Sequence, residues 1–137
     1  MYLIAFPLLL IPFVLYNMMA FLFRMDFGAV ALSLPLLSGA QIVVKVGDLL
    51  VIFAALLLYL EILKATRLSS KAIIDHVLSV ILFIVMIIEF IAVPAAATPT
   101  FLILMTLTFV DVIGGFTITI RTAQRDLAVE GVERIHR

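Results

Sequence analysis

The sequence predicts an all-α integral membrane protein, an antiparallel bundle of four transmembrane helices with a short extracytoplasmic β-hairpin between the first two. Of its 137 residues, 66% are hydrophobic and 13% are charged, whereas a soluble domain is typically about half apolar and a quarter charged. Four apolar segments also have about the length that a helix needs to cross a bilayer. A chain this short has too little interior to shield so many aliphatic side chains from water. We therefore expect a single membrane domain covered by lipid.

Each span is delimited by polar or helix-breaking residues. The four predicted spans cover residues 2–23, 46–63, 73–93 and 100–120. The first contains Pro7 and Pro12, each of which removes a backbone donor and clashes with the preceding turn, so a kink is expected near Pro12. The third and fourth spans are separated by the segment Pro94-Ala-Ala-Ala-Thr-Pro99, which predicts a tight turn between antiparallel neighbours.

The basic residues are concentrated on one side of the predicted membrane. Seven of the nine lie on the side of the second loop and the tail, namely Lys64, Arg67, Lys71, Arg121, Arg125, Arg134 and Arg137. Only Arg24 and Lys45 lie on the other side, so the positive-inside rule predicts both termini in the cytoplasm. The expected location is the cell inner (plasma) membrane. The cytoplasmic tail, residues 121–137, is expected to continue the fourth helix by a turn or two and to be interrupted at Gly131.

The segment between the first two spans, residues 24–45, is predicted to lie on the outer face. It contains two short β-prone runs, at residues 29–34 and 41–46, with Pro35 and the pair Ser38-Gly39 between them. This pattern favours a β-hairpin, and an apolar loop lying on the lipid headgroups is the alternative. The unpaired edge of a hairpin could pair with a second copy or another partner.

Polar residues recur at helical spacing within the third and fourth spans. One face of the third span carries Asp75, Ser79, Leu82, Met86 and Glu89, and one face of the fourth carries Leu104, Thr108, Asp111, Gly115, Ile118 and Thr122. Since a polar side chain in hydrocarbon is costly, both faces are expected to point into the bundle.

Depth along the spans divides the polar residues into two layers. An outer cluster of Asn17, Arg24, Asp48 and Glu89 is expected, in which Arg24 lies between the two carboxylates. The inner layer is interpreted as interfacial charges that snorkel or pair at the helix ends. It comprises Glu61, Lys64, Arg67, Lys71, Asp75 and His76.

Asp111 lies near the middle of the fourth span, where no basic residue is expected at the same depth. Its candidate neighbours are Thr108, Gly114, Gly115, Ser79 and Tyr59. One interpretation makes Asp111 a neutral carboxyl that bridges helices. The other makes it a proton or cation site on a pathway, as intramembrane acids often are.

Composition excludes several chemistries. The chain has no cysteine, which removes disulfides, thiolate catalysis and iron–sulfur sites. Its two histidines lack partners at a metal-ligand spacing, and the net charge of zero suggests no nucleic-acid partner. No cofactor is expected, and an enzyme is the least favoured class.

The sequence therefore favours a small non-enzymatic membrane protein that assembles with itself or serves as an accessory or scaffold subunit of a membrane complex. The alternative is a homo-oligomeric proton or small-cation channel or transporter that uses Asp111 and Glu89. The lipid bilayer and either a second copy or another membrane protein are the expected partners.

Overall fold

The computed structural model describes residues 6–66 and 70–136, and it is 75% helical with a small two-stranded antiparallel sheet. In chain order its elements are α1 (Leu10–Asn17), a π-helical turn (Met18–Leu22), β1 (Val30–Pro35), β2 (Gln41–Lys45), α2 (Val46–Ala65), α3 (Ser70–Ala92), a 3₁₀ turn (Pro94–Ala96) and α4 (Pro99–His136). Among the described residues, the three helices α2, α3 and α4 are long and apolar enough to cross a membrane.

The first predicted span is shorter in the structure than residues 2–23. Its α-helix has eight residues and the π-helical turn that follows has five, so together they extend about 20 Å at 1.5 Å per residue. Pro12 lies in the first turn of α1, where a missing N–H removes no intrahelical bond. The helix therefore begins near Pro12 instead of bending there. Residues 2–5 of the prediction lie outside the described residues.

Helices α3 and α4 are antiparallel neighbours, as the short proline-containing connection predicts. Residues late in α3 meet residues early in α4, and the order reverses towards the other end. The aromatic pairs along this contact are Phe90–Phe101, Phe83–Phe109 and His76–Phe116, with ring centroids 6.1, 5.5 and 4.0 Å apart. Helix α4 also packs against α2, whereas α2 and α3 contact each other little.

The core lies where α4 meets the other helices. Its buried apolar residues are Leu9, Tyr16, Phe27, Leu50, Ala54, Leu82, Met86, Ala96, Phe101 and Leu104. Most of the predicted interior faces agree with this core. On α3, Asp75, Ser79, Leu82 and Met86 are buried, and on α4 Leu104, Thr108, Asp111 and Gly115 are buried. Glu89 and Ile118 are only half-buried, and the side chain of Thr122 lies outside the described residues.

The predicted hairpin is confirmed. β1 and β2 pair antiparallel, with Leu34 opposite Ile42 and a register irregularity between Val30 and Leu32. Pro35, expected in the turn, is the last residue of β1, which is a position that needs no ladder donor on an edge strand. Gly39 supplies the positive φ, 88°, of the connecting loop.

β2 continues directly into α2. The Lys45 backbone N–H donates to Asp48 Oδ2 at 2.9 Å, so the Asp48 carboxylate caps the helix and interacts favourably with its N-terminal dipole.

Helix α4 is much longer than the sequence predicts. It has 38 residues, from Pro99 to His136, or about 57 Å at 1.5 Å per residue, nearly twice the thickness of a bilayer core. The expected interruption at Gly131 is wrong: nothing lies within 4 Å of the Cβ position there, and the helix continues through it. A single glycine costs a helix only about 1 kcal/mol relative to alanine.

Candidate functional site

A small polar cavity lies between α2, α3 and α4, at the end of the protein where α2 ends and α3 begins. Its volume is about 20 Å³, and it is lined by Glu61, Lys64, Ala65, Ala72, Asp75, His76, Ser79, Asp111, Gly115 and Thr119. We call Glu61, Lys64, Asp75 and Asp111 the carboxylate cluster, and we call this part of the protein the cluster end.

Glu61 belongs to the buried face of α2, together with Gly47, Leu50 and Ala54. It is only 2% exposed, and its Oε1 accepts hydrogen bonds from the Leu8 backbone N–H and, at 3.0 Å, from Lys64 Nζ. The carboxylate therefore ties the chain just before α1 to the end of α2.

Lys64 is the cation of the carboxylate cluster. Its Nζ donates to Glu61 Oε1 at 3.0 Å, to Asp75 Oδ1 at 3.5 Å and to the Phe6 backbone oxygen at 2.5 Å. Because an ammonium group has three N–H donors, these acceptors use all of them. Both ion pairs found among residues 6–66 and 70–136 involve Lys64.

Asp111 is the carboxylate that Lys64 does not reach with a hydrogen bond. It is 6% exposed, and its Oδ2 is buried without a hydrogen-bond partner. Of its predicted neighbours, Ser79 faces it from α3 and interacts with its carboxyl, and Gly115 lines the same cavity. Tyr59 is not a neighbour of this kind, since it is 62% exposed.

Gly115 allows the His76 ring to approach α4 closely. A Cβ at Gly115 would lie 2.6 Å from His76 Nδ1, whereas a Cβ at Gly114 would meet nothing within 4 Å. The imidazole packs edge-on against Phe116, and its Nε2 is buried without a hydrogen-bond partner. His76 and Asp111 thus each bring one unpaired polar atom to the cluster end.

The opposite end of the helices, next to the β-hairpin, does not form the predicted outer cluster. Asn17 and Glu89 do meet, with Asn17 Nδ2 donating to Glu89 Oε2 at 3.4 Å. Arg24, however, is exposed and has a φ of 49°. It makes no ion pair with Glu89 or Asp48, all three being residues that the structure describes, and Asp48 caps α2 instead.

Uncharged hydrogen bonds and ring contacts hold this hairpin end together. Tyr16 is fully buried, and its hydroxyl donates to the Ala95 backbone oxygen at 2.7 Å while lying 2.7 Å from Thr98 Oγ1. Its ring stacks on Phe27 with centroids 4.3 Å apart. The connection between α3 and α4 is therefore fixed to α1 without an ion pair.

The hairpin end also contains a wider, open cleft. Its volume is about 530 Å³, and its polar lining residues are Asp26, Lys45, Asp48, Thr98 and Thr100. In the part of the chain that the structure describes, no three His, Asp or Glu side chains are arranged to hold a metal ion. The cleft is too open to isolate a reaction from water, and we assign it no chemistry.

The sequence predicts the inner layer at the membrane surface, whereas the structure places two of its members, Glu61 and Asp75, in the interior, 2% and 7% exposed. Arg67 and the side chain of Lys71, which belong to the same predicted layer, lie outside the described residues. The spacing of the sequence does indicate that Glu61 is buried. Glu61 follows Ala54 by seven residues, which puts both on one helix face. Its position near the end of an apolar segment suggests the membrane surface instead.

Comparison with known proteins returned nothing similar: no protein-family model, no curated protein and no solved structure matches the chain.

Proposed function

We propose that the chain is a small, non-enzymatic integral membrane protein that crosses the plasma membrane four times and assembles with a second copy of itself. Three long apolar helices support the membrane location. The excess of basic residues at the cluster end and in the tail supports a cytoplasmic location for both termini. The short α1 crosses completely only if residues before Leu10 contribute to the span.

The observation that carries the assembly proposal is the extension of α4 beyond residue 120. Residues 121–136 add about 24 Å of helix that no other described element covers. Leu127 and Ile135 on this extension are 68% and 82% exposed. Apolar side chains on the spans face lipid in any membrane protein. These two lie outside the predicted span, so another protein surface would have to shield them from water.

An apolar stripe runs along the extension. Leu127, Gly131 and Ile135 follow each other at intervals of four and so share one face. At 3.6 residues per turn, Glu130 and Arg134 border that face on one side and Arg121 borders it on the other, whereas Asp126, Glu133, Arg125 and His136 point away from it. Glu130 and Arg134 are four residues apart and can pair within the helix.

Membrane insertion favours a parallel pair of helices. Copies inserted with the same orientation in one membrane run parallel, so the apolar stripe of one copy can lie along the stripe of a second copy and bury its exposed side chains.

Cysteine cross-linking of the full chain in liposomes tests this proposal, because the natural sequence has no cysteine. Leu127→Cys is expected to give a disulfide-linked dimer on mild oxidation. Val129→Cys, which lies on the opposite face and is 54% exposed, is the matched control and is expected to give little. Equal yields from both variants, or monomer alone from both, would refute the proposal.

The alternative function, transport along Asp111 and Glu89, has weaker support. Asp111 belongs to the cluster end and Glu89 to the hairpin end. Between them the core residues Leu82, Met86 and Leu104 are 5%, 1% and 3% exposed. A proton or cation pathway through one copy of the protein would have to cross this apolar layer.

A further inference from the structure

The carboxylate cluster contains more acid than base. Glu61, Asp75 and Asp111 are 2%, 7% and 6% exposed, and each comes from a different helix. Among the described residues, Lys64 is the basic side chain that pairs with this cluster: it binds Glu61 and Asp75, does not reach Asp111, and gives its third donor to the Phe6 backbone oxygen. If all three acids were ionised, the described side chains would leave Asp111 without a counter-charge.

A buried site cannot hold that imbalance without a counter-charge. An unpaired ion loses its hydration on burial and is expensive in a low-dielectric interior, so it takes up a proton or binds a cation instead. The cavity of about 20 Å³ has room for about one water molecule. Among the described residues, no grouping fit for a metal ion is found, so protons are the counter-charge that the geometry admits.

Asp111 is the acid of the cluster that a bound proton would stabilise most. Its Oδ2 is buried, lines the cavity and has no hydrogen-bond partner. A protonated carboxyl gains a donor that could serve a water in the cavity. The other titratable or polar groups that face the cavity are Glu61 and Lys64 from α2, Asp75, His76 and Ser79 from α3, and Thr119 from α4.

Access to the cavity is one-sided. The side chains of Lys64 and Asp75 retain 14% and 11% exposure, and both lie at the cluster end. Towards the hairpin end, Met86 and Thr108 close the core, with the Thr108 hydroxyl 3.4 Å from Met86 Sδ and both residues 1% exposed. Among the described residues, the carboxylate cluster is therefore open to water at the cluster end and closed towards the hairpin end.

We propose that the carboxylate cluster is a proton-binding site that holds a proton on Asp111 at neutral pH and exchanges it with the cluster-end side of the membrane alone. The site takes up and releases protons without conducting them across the bilayer within one copy. It depends on the helix contacts inside a single chain, so it is independent of dimer formation through α4.

Infrared spectroscopy of the protein in liposomes tests the bound proton. The wild type at neutral pH is expected to show the carbonyl stretch of a protonated carboxyl group, shifted in D₂O. Asp111→Asn is expected to remove a component of that band, and the matched control Glu89→Gln is expected to leave it unchanged. No protonated carboxyl in the wild type, or equal loss in both variants, would overturn the proposal.

Two further measurements keep the test decisive. If Asp111→Asn does not fold, Ser79→Ala is used instead, because Ser79 interacts with the Asp111 carboxyl and its removal should shift the same component. An unshifted band then counts against the assignment to Asp111. One-sided access is tested with a pH-sensitive dye trapped in the liposomes: no flux above that of protein-free liposomes is expected, and a protein-dependent flux would overturn this part.

Discussion

At the hairpin end, α1 is held by the Tyr16 hydroxyl and a long bond from Asn17 to Glu89, whereas at the cluster end Glu61 and Asp75 share Lys64 beside a third buried carboxyl, Asp111. Both ends bury polar groups between apolar helices. Among the described residues, the hairpin end does so without an ion pair and leaves its arginine, Arg24, exposed. The comparison indicates that charged side chains cluster according to the helix face that carries them. Their distance from the end of a span matters less.

The largest expected effect is at Lys64. Lys64→Met leaves Glu61 and Asp75 buried without their cation, and removing one partner of a buried ion pair typically costs about 3–5 kcal/mol. We expect a loss of that size in the free energy of unfolding, measured by reversible denaturation in mixed micelles. Arg24→Met is the control at the other end and should change little. Equal losses would mean that the two ends do not differ as described.

A smaller loss is expected from Tyr16→Phe, which removes the donor to the Ala95 oxygen. The hydroxyl also contacts Thr98 Oγ1, and two hydrogen bonds at about 0.5–1.5 kcal/mol each make a loss of about 1–3 kcal/mol, which the same denaturation assay measures. Tyr59→Phe, at an exposed position, is the control. If Tyr16→Phe is as stable as wild type, neutral hydrogen bonds do not hold the hairpin end.

The contact between α3 and α4 is tested with adjacent glycines. Gly115→Ala brings a Cβ against the His76 ring, and overpacking of this kind typically costs about 1–3 kcal/mol. Gly114→Ala meets open space and should be neutral or slightly stabilising, because alanine favours helix. Matching stabilities for the two variants would place His76 elsewhere.

The smallest effect is expected at Glu89. Its bond from Asn17 is long, at 3.4 Å, and a glutamine oxygen can accept it equally well. Glu89→Gln should therefore change the free energy of unfolding by less than about 1 kcal/mol. A larger change would show that Glu89 has a charged partner, as the predicted outer cluster required.

Much of the fold could be predicted because it follows from local patterns. Long apolar runs indicate α2, α3 and α4, alternation around a turn indicates the hairpin, and the spacing of Asp75, Ser79, Leu82 and Met86 identifies the inner face of α3. The continuation of α4 through Gly131 was missed, because a single glycine weakens a helix by less than the remaining residues stabilise it.

The site was harder to predict because it depends on contacts between distant residues. Asp111 was identified as an acid in need of a partner, but its surroundings come from Glu61, 50 positions earlier, and from Ser79 on another helix. The pairing of Lys64 with Asp75 needs the angle between α2 and α3, which no sequence period encodes. Arg24 was misplaced for a related reason: its left-handed backbone is a property of the turn.

The most direct test is a measurement of ¹⁵N–¹³C dipolar couplings by solid-state NMR of the full chain in liposomes. The account predicts couplings from Lys64 Nζ to the side-chain carboxyl carbons of both Glu61 and Asp75, absent in Lys64→Met, and no coupling from the Arg24 guanidinium to Glu89. A coupling between Arg24 and Glu89, with none from Lys64, would contradict it.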